Sequence, residues 1–327
     1  MGLVVTVLSW WFGASVAAAA GSADFDLWLD GVRMEAQAAG ISESTIHSAL
    51  ATVQQPLPRV LELDRKQPES TQTLAAYLAS RVSPNRVANG RSMLGAYPTW
   101  LGKAEAQYQV PRRVLVALWG MESNYGEQMG SFPVIAALAT LAYDGRRSEF
   151  FRQELFHALR ILDAGHIPLP QMLGSWAGAM GQCQFMPSSF QRFAVDANGD
   201  GRRDIWSSIP DVLGSTANYL NQAGWKPGQT WGRPVRLPKK FDRSLLGLKT
   251  RKSLARWQAL GVRQTNGAPL PGRTLQASLI QPDGPGSQAY LVYENFRVIL
   301  AWNNSQAFAV AVGTLSDQLA GKGKKRR

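Results

Sequence analysis

Glu122 has the setting that most invites chemistry. Leu115, Leu118, Trp119 and Glu122 stand at i, i+3, i+4 and i+7 of a helical period that opens at Pro111. One helical face therefore carries an apolar stripe that ends in a carboxylate. Apolar surroundings disfavour the charged form of a carboxylate and raise its pKa. A Glu still protonated near neutrality can serve as a general acid on a glycosidic oxygen. Spacing alone favours a plainer reading, in which the Glu leaves the helix end into solvent.

A second constellation is the run from Asp196 to Trp206, Asp-Ala-Asn-Gly-Asp-Gly-Arg-Arg-Asp-Ile-Trp. Asp196, Asn198 and Asp200 supply oxygens at positions 1, 3 and 5 of a calcium-type loop. Gly201 stands at position 6, and Arg202 at position 7 offers its carbonyl. Position 12 is Ser207, so the usual bidentate Glu is missing. A structural calcium ion is favoured over a loop closed only by its own Asx turns. With one cysteine and three histidines, a disulfide framework and a Cys-based zinc site are excluded. Cys183 has no local His partner and reads as a small packed residue.

The elements that must hold these groups are mainly helical. Helical patterning covers 24 to about 55, with Ser42 and Ser44 as candidate caps, then 70–83 and 86–108. It resumes after Pro111 and at about 132–143, 147–164 and 186–194. From Gly224 the character changes to Gly, Pro and Trp. Pro234 to Leu237, Gln276 to Ile280 and Tyr290 to Val292 read as strands, residues 251–261 as a short helix, and Pro282 to Gly286 as a turn. Phe296 to Leu315 reads as one apolar helix. The expectation is a mainly α fold with a small mixed α/β insert.

Met121-Glu122-Ser123-Asn124-Tyr125-Gly126 resembles the Glu-Ser/Thr-x-x-Gly signature of lysozyme-like muramidases and lytic transglycosylases. Gly178 to Phe190, Gly-Ala-Met-Gly-Gln-Cys-Gln-Phe-Met-Pro-Ser-Ser-Phe, resembles their second signature. The Phe-Met-Pro-Ser-Ser form followed by the Asp-rich loop is similar to the lytic murein transglycosylase B family (glycoside hydrolase family 103), from about Ala88 to Leu315. The resemblance implies a lysozyme-like catalytic core over 99–225. A helical region at 21–98 and the insert at 226–290 would flank it, and a C-terminal helix at 291–320 would return to it.

The resemblance also implies a reaction. Glu122 takes the place of the family's single catalytic acid-base, which cleaves the bond between N-acetylmuramic acid and N-acetylglucosamine in peptidoglycan strands. Attack by the muramoyl C6 hydroxyl then gives a 1,6-anhydro product, with no second carboxylate as nucleophile and no organic cofactor. By position, Ser175, Gln184, Tyr219 and Asn303 match substrate-cleft residues, and Asn303 is expected to hydrogen-bond Glu122. Trp302 and Phe308 depart from the hydroxyl-bearing aromatics common there. Arg146 and Arg147 match paired arginines suited to peptide carboxylates, though they read equally as a solvated helix start. The later Asp that closes the metal loop is matched by Asp211, one residue further on than expected.

Net charge is +12, and five of those charges lie in the last seven residues, a basic tail at 321–327. The remaining basic body suits an anionic partner. Leu3 to Ala20 is uncharged and ends in four alanines, which reads as a signal peptide over 1–20 and a periplasmic protein. If the signal is not cleaved, the protein stays anchored in the membrane, and peripheral membrane association is open either way. Expected partners are glycan strands and cell-wall synthesis or envelope proteins. Nucleic acid is disfavoured, since no recognisable binding module is present. Two alternatives remain: a muramidase that uses water on the same bond, and a non-catalytic peptidoglycan-binding scaffold.

Overall fold

The computed structural model describes residues 13–66 and 72–320, with side chains from Ala23 onward. The first half of the expected signal segment and the basic tail lie outside the described residues. In chain order the α-helices are α1 Gly13–Ala38, α2 Glu43–Leu50, α3 Pro58–Arg65, α4 Leu74–Arg81, α5 Pro84–Ala96, α6 Pro98–Tyr108 and α7 Arg112–Ser123. They continue as α8 Val134–Tyr143, α9 Ser148–Asp163, α10 Pro187–Phe193, α11 Ile209–Gln222, α12 Leu254–Ala259, α13 Glu294–Trp302 and α14 Gln306–Leu319. The strands are β1 Phe132–Pro133, β2 Leu173–Gly174, β3 Gly232–Arg236, β4 Gly247–Ser253, β5 Arg263–Gln264, β6 Gln276–Ile280 and β7 Ala289–Val292. The fold is mainly α, as its patterning implies.

Helix starts follow local chemistry. Pro58, Pro84 and Pro98 open their helices with a fixed φ and no surplus N–H. Ser42, Thr73, Ser83, Ser208 and Ser305 each accept a backbone N–H from the first turn that follows. These signals explain where the sequence reading runs elements together. The stretch 86–108 is two helices, because Pro98 restarts the chain after Tyr97. The stretch 296–315 is also two, because Asn303 is extended and Ser305 caps a new helix. Helix α11 and strand β4 carry no place in that reading, although Ser208-Ile209-Pro210 is a helix-start signal.

The chain forms two compact units, and neither is a continuous stretch. One draws on Met1–Gln67, Gly130–Met180 and Gln184–Arg192. Its core is α8 packed on α9, with α2 and α3 laid against them. Leu138, Leu155 and Leu159 are fully buried there, and Phe25 meets Tyr143 edge-on at 5.0 Å. Strands β1 and β2 form a small antiparallel pair.

The other unit draws on Pro68–Met129, Gly181–Cys183 and Phe193–Arg327. Helix α7 is its axis: Val114 through Met121 are all buried, and α5, α6, α11 and α14 pack around it. The same unit contains an antiparallel sheet in the order β4-β6-β7-β3-β5. Trp257, Leu279 and Leu291 fill the core beneath it. The expected mixed insert is thus a five-stranded sheet with α12 against one end.

Candidate active site

Glu122 sits in the last turn of α7. Leu115, Leu118 and Trp119, its partners on the stripe, are 0%, 0% and 3% exposed. Glu122 as a residue is partly exposed, while its carboxylate is sunk among apolar neighbours. Burial pushes its pKa from 4.5 up to about 7, against a smaller lowering by a hydrogen bond from Trp302. That bond runs from the indole Nε1 to Glu122 Oε1 at 2.6 Å. Its charge reaches Tyr77 on α4 and Cys183.

The donor to Glu122 is therefore Trp302, the last residue of α13. Its neighbour Asn303, expected in that role, is exposed. Tyr219 on α11 packs against Trp302 with ring centroids 4.6 Å apart and the rings tilted at 59°. It also donates its hydroxyl to the Ala301 carbonyl at 2.7 Å, which fixes the end of α13 that carries the indole. Phe193 closes the other side of Tyr219 at 4.3 Å.

The Glu-Ser-Asn-Tyr-Gly signature is largely a device for ending α7. Asn124 and Tyr125 both take left-handed backbone angles, with φ of 50° and 63°. The Tyr125 hydroxyl donates to the Arg86 carbonyl at 2.7 Å. Ser123 donates its hydroxyl to the Gln182 carbonyl at 2.8 Å and accepts the Gly126 N–H. Gly126 has φ +93°, and a Cβ there would lie 2.5 Å from the Gln182 side-chain oxygen. Gln182 is a residue the sequence reading passed over. It is buried, accepts the Trp119 indole N–H at 2.8 Å and donates to the Trp206 carbonyl at 2.8 Å. Its signal was present: a Gln between Gly181 and Cys183, next to the apolar Ala179 and Met180. Cys183 beside it is buried and its thiol is pushed up to about 12 by desolvation, consistent with a packed rather than reactive group.

In the loop after α10, Asp196 Oδ1 accepts N–H bonds from Gly199 at 2.7 Å and Asp200 at 3.2 Å. Its Oδ2 accepts from Gly201 at 2.8 Å. Asn198 and Asp200 cap further amides, including that of Arg202. Asp211 is buried, and its two oxygens accept the amides of Ala197 and Asp204, both at 2.8 Å. It straps together the two ends of the loop. Among the described residues no group of three or more His, Cys, Asp and Glu converges as a metal site. The donor set at positions 1, 3, 5 and 7 is all oxygen, the type a hard cation takes.

Ser175, Gln184, Arg146 and Arg147 belong to the other unit. Ser175 Oγ accepts the amides of Ala177 and Ala179, at 3.3 and 3.0 Å, leaving its O–H proton to donate. Gln184 has φ +50° and is partly exposed. Both arginines turn to Asp64, which is 1% exposed: Arg147 Nη2 lies 2.7 Å and Arg146 Nε 3.6 Å from its carboxylate. They stand about half exposed at the start of α9, tethered to this carboxylate. A buried acid on α3, not read from the sequence, orients them. In the same unit, Ser188 of the Phe-Met-Pro-Ser-Ser run is fixed by buried Glu154, at 2.8 Å to its amide and 2.6 Å to its hydroxyl.

The model of the transglycosylase SLT domain matches residues 24–317. The chain belongs to the transglycosylase SLT family. It is 36% identical over 252 residues to the membrane-bound lytic murein transglycosylase B of Escherichia coli (strain K12), covering 75% of this chain and 66% of that protein. This chain thus spans just under two thirds of that relative's length. The crystal structure of SltB3 from Pseudomonas aeruginosa in complex with NAG-anhNAM-pentapeptide matches with 50% identity and a TM-score of 0.89, over 92% of this chain and 80% of that one. The Escherichia coli lytic transglycosylase Slt35 in complex with calcium matches with 32% identity and a TM-score of 0.73, over 84% and 87%. These SLT relatives share the fold, so the core is lysozyme-like as the motifs implied.

Proposed function

We propose that the protein is a peptidoglycan lytic transglycosylase with Glu122 as its single acid-base. The observation that carries this reading is a desolvated carboxylate at the end of an apolar stripe, with its pKa near neutrality and one oxygen held by an indole N–H. Membership of the SLT family and likeness to SltB3 in complex with NAG-anhNAM-pentapeptide support it.

The indole can only donate, so Oε1 must accept, and the acid proton belongs on Oε2. In the reaction, Oε2 protonates the glycosidic oxygen between muramoyl and glucosaminyl residues, and the bond from that oxygen to muramoyl C1 breaks. The resulting carboxylate takes the proton of the muramoyl C6 hydroxyl, and the new C1–O6 bond closes the 1,6-anhydro ring. Glu122 ends reprotonated, ready for another cycle. No water enters and no second carboxylate is needed.

Tyr219 and Trp302 are assigned to the sugar at the reacting bond, Asn303 and Gln184 to hydrogen bonds with glycan, and Ser175 to donation through its remaining O–H. Arg146 and Arg147, half exposed and oriented by Asp64, are assigned to the carboxylates of the peptide stem. Asp196, Asn198, Asp200 and the Arg202 carbonyl would hold a calcium ion, with Asp211 tying the loop ends. Such an ion stiffens the loop and takes no part in bond cleavage; Slt35 with calcium supports the assignment. For location, the membrane-bound relative and the apolar N-terminus support an exported, periplasmic protein that acts at the envelope. No helix among the described residues is long and apolar enough to cross a membrane.

Release of soluble fragments from purified sacculi tests the enzyme reading against a binding scaffold. The wild type should release fragments, and Glu122→Gln should bind sacculi without releasing them. Equal release by both would overturn the role of Glu122, and binding without release by both would make the protein a scaffold.

A further inference from the structure

The five-stranded sheet carries a concavity of about 370 Å³ that shares no residue with the surroundings of Glu122. Arg236, Lys239 and Arg243 bring three cations to it, joined by Gln281, Ser287 and Gln288, and among the described residues no Asp or Glu lines it. Among the described residues none of the three cations forms an ion pair. The nearby acids are committed elsewhere. Asp242 accepts the Ser244 amide at 3.0 Å and its hydroxyl at 2.7 Å. Asp283, in the β6–β7 turn, accepts the Leu74 and Ala75 amides at the start of α4, at 2.6 and 3.2 Å.

The walls are set in advance. Gln281 donates to the Ser287 carbonyl at 2.7 Å, and its oxygen accepts Arg243 Nη1 at 3.3 Å, so this guanidinium is already aimed. Gln288 is pinned to the Val235 and Ala289 carbonyls at 3.0 and 2.7 Å. Ordered donors lose less entropy on binding. The only aromatic lining, Phe241, packs against Trp257 and the sheet core, so the groove lacks a ring face committed to sugar stacking. Unpaired cations in a polar concavity select an extended anion with several carboxylates.

We infer that this groove binds the carboxylates of a peptidoglycan stem peptide, holding the substrate polymer at a second point away from the bond that is cut. The inference rests on peptidoglycan being the substrate. Its test titrates the full chain with a free stem pentapeptide by calorimetry, beside the triple variant Arg236→Gln, Lys239→Gln, Arg243→Gln. Cleavage of glycan strands stripped of peptide reports that the variant is folded and catalytically intact. The expected result is peptide binding that weakens with salt, an affinity loss of about tenfold or more in the variant, and unchanged cleavage of stripped strands. Equal affinity of both proteins, or no peptide binding by the wild type, overturns the inference. So does displacement of the peptide by inorganic phosphate at equal concentration, which would make the groove a phosphate site. Should the wild type fail to cut stripped strands, the catalytic reading falls while the peptide titration still decides the groove.

Discussion

At the residue scale, one carboxylate carries two consequences of burial. A pKa lifted from 4.5 to about 7 means that the folded state holds its proton more tightly than the unfolded chain. The stability this gives is fully present below pH 4.5 and is lost as pH rises through 7, on the order of 3 kcal/mol across that window. Glu122→Gln cannot ionise, so its Tm should match the wild type near pH 4.5 and exceed it at pH 8. Thermal melts at both pH values check this; an equal or lower Tm for the variant at pH 8 would contradict it. Trp302→Phe removes a bond that lowers the pKa, so the alkaline limb of kcat/KM should move to higher pH, with a loss of roughly tenfold or more in rate. Trp302→Tyr, which can donate again from a different reach, should recover part of the shift. A limb that stays in place in Trp302→Phe would mean that the indole only packs. The carboxylate and its apolar stripe were legible from spacing, because helical geometry makes i, i+3, i+4 and i+7 neighbours. The indole donor was not, because the bond joins residues 180 positions apart and the motif points to the neighbouring Asn303 for it.

At the element scale, the signature around Glu122 fixes where α7 stops. Gly126→Ala places a Cβ 2.5 Å from the Gln182 oxygen on a backbone of φ +93°. It should cost about 1–3 kcal/mol and disturb the Trp119–Gln182 bond one turn before Glu122. Denaturant melts and sacculus cleavage should both fall, and a variant as stable as the wild type would show the turn to be slack. Asp211→Ala strips the amides of Ala197 and Asp204 of their acceptor, at a cost of about 1–3 kcal/mol. If the loop holds calcium, loosening it also weakens ion binding, so the loss is larger with calcium present than in chelator; equal losses with and without chelator would remove the ion from the account. Helix starts marked by Pro or Ser were readable, yet neighbouring runs were fused wherever apolar patterning continued through a cap, as at Tyr97-Pro98 and Asn303 to Ser305. Strand β4 is rich in Lys and Arg, so hydrophobic alternation gave no sign of it.

At the scale of the whole molecule, charge meets substrate. A chain of net charge +12 acting on an anionic polymer should lose rate on intact sacculi as salt rises, and lose less on short neutral glycans. Rate measurements from low to physiological salt test this; equal salt slopes for the two substrates would assign the charge elsewhere. The mainly α class was legible from periodicity and motif order. The division into two interleaved units was not, because 181–183 belong with one while 130–180 and 184–192 belong with the other, and no composition change marks such crossings.

The central claim is that the muramoyl C6 hydroxyl, not water, attacks C1 as Glu122 drives cleavage. Mass spectrometry of the fragments released from purified peptidoglycan reads this directly, because the anhydro end is lighter than a reducing end by one water. The wild type should give fragments ending in 1,6-anhydro-N-acetylmuramic acid, and Glu122→Gln should give none. Fragments with reducing N-acetylmuramic acid ends would make the protein a hydrolase and contradict the account.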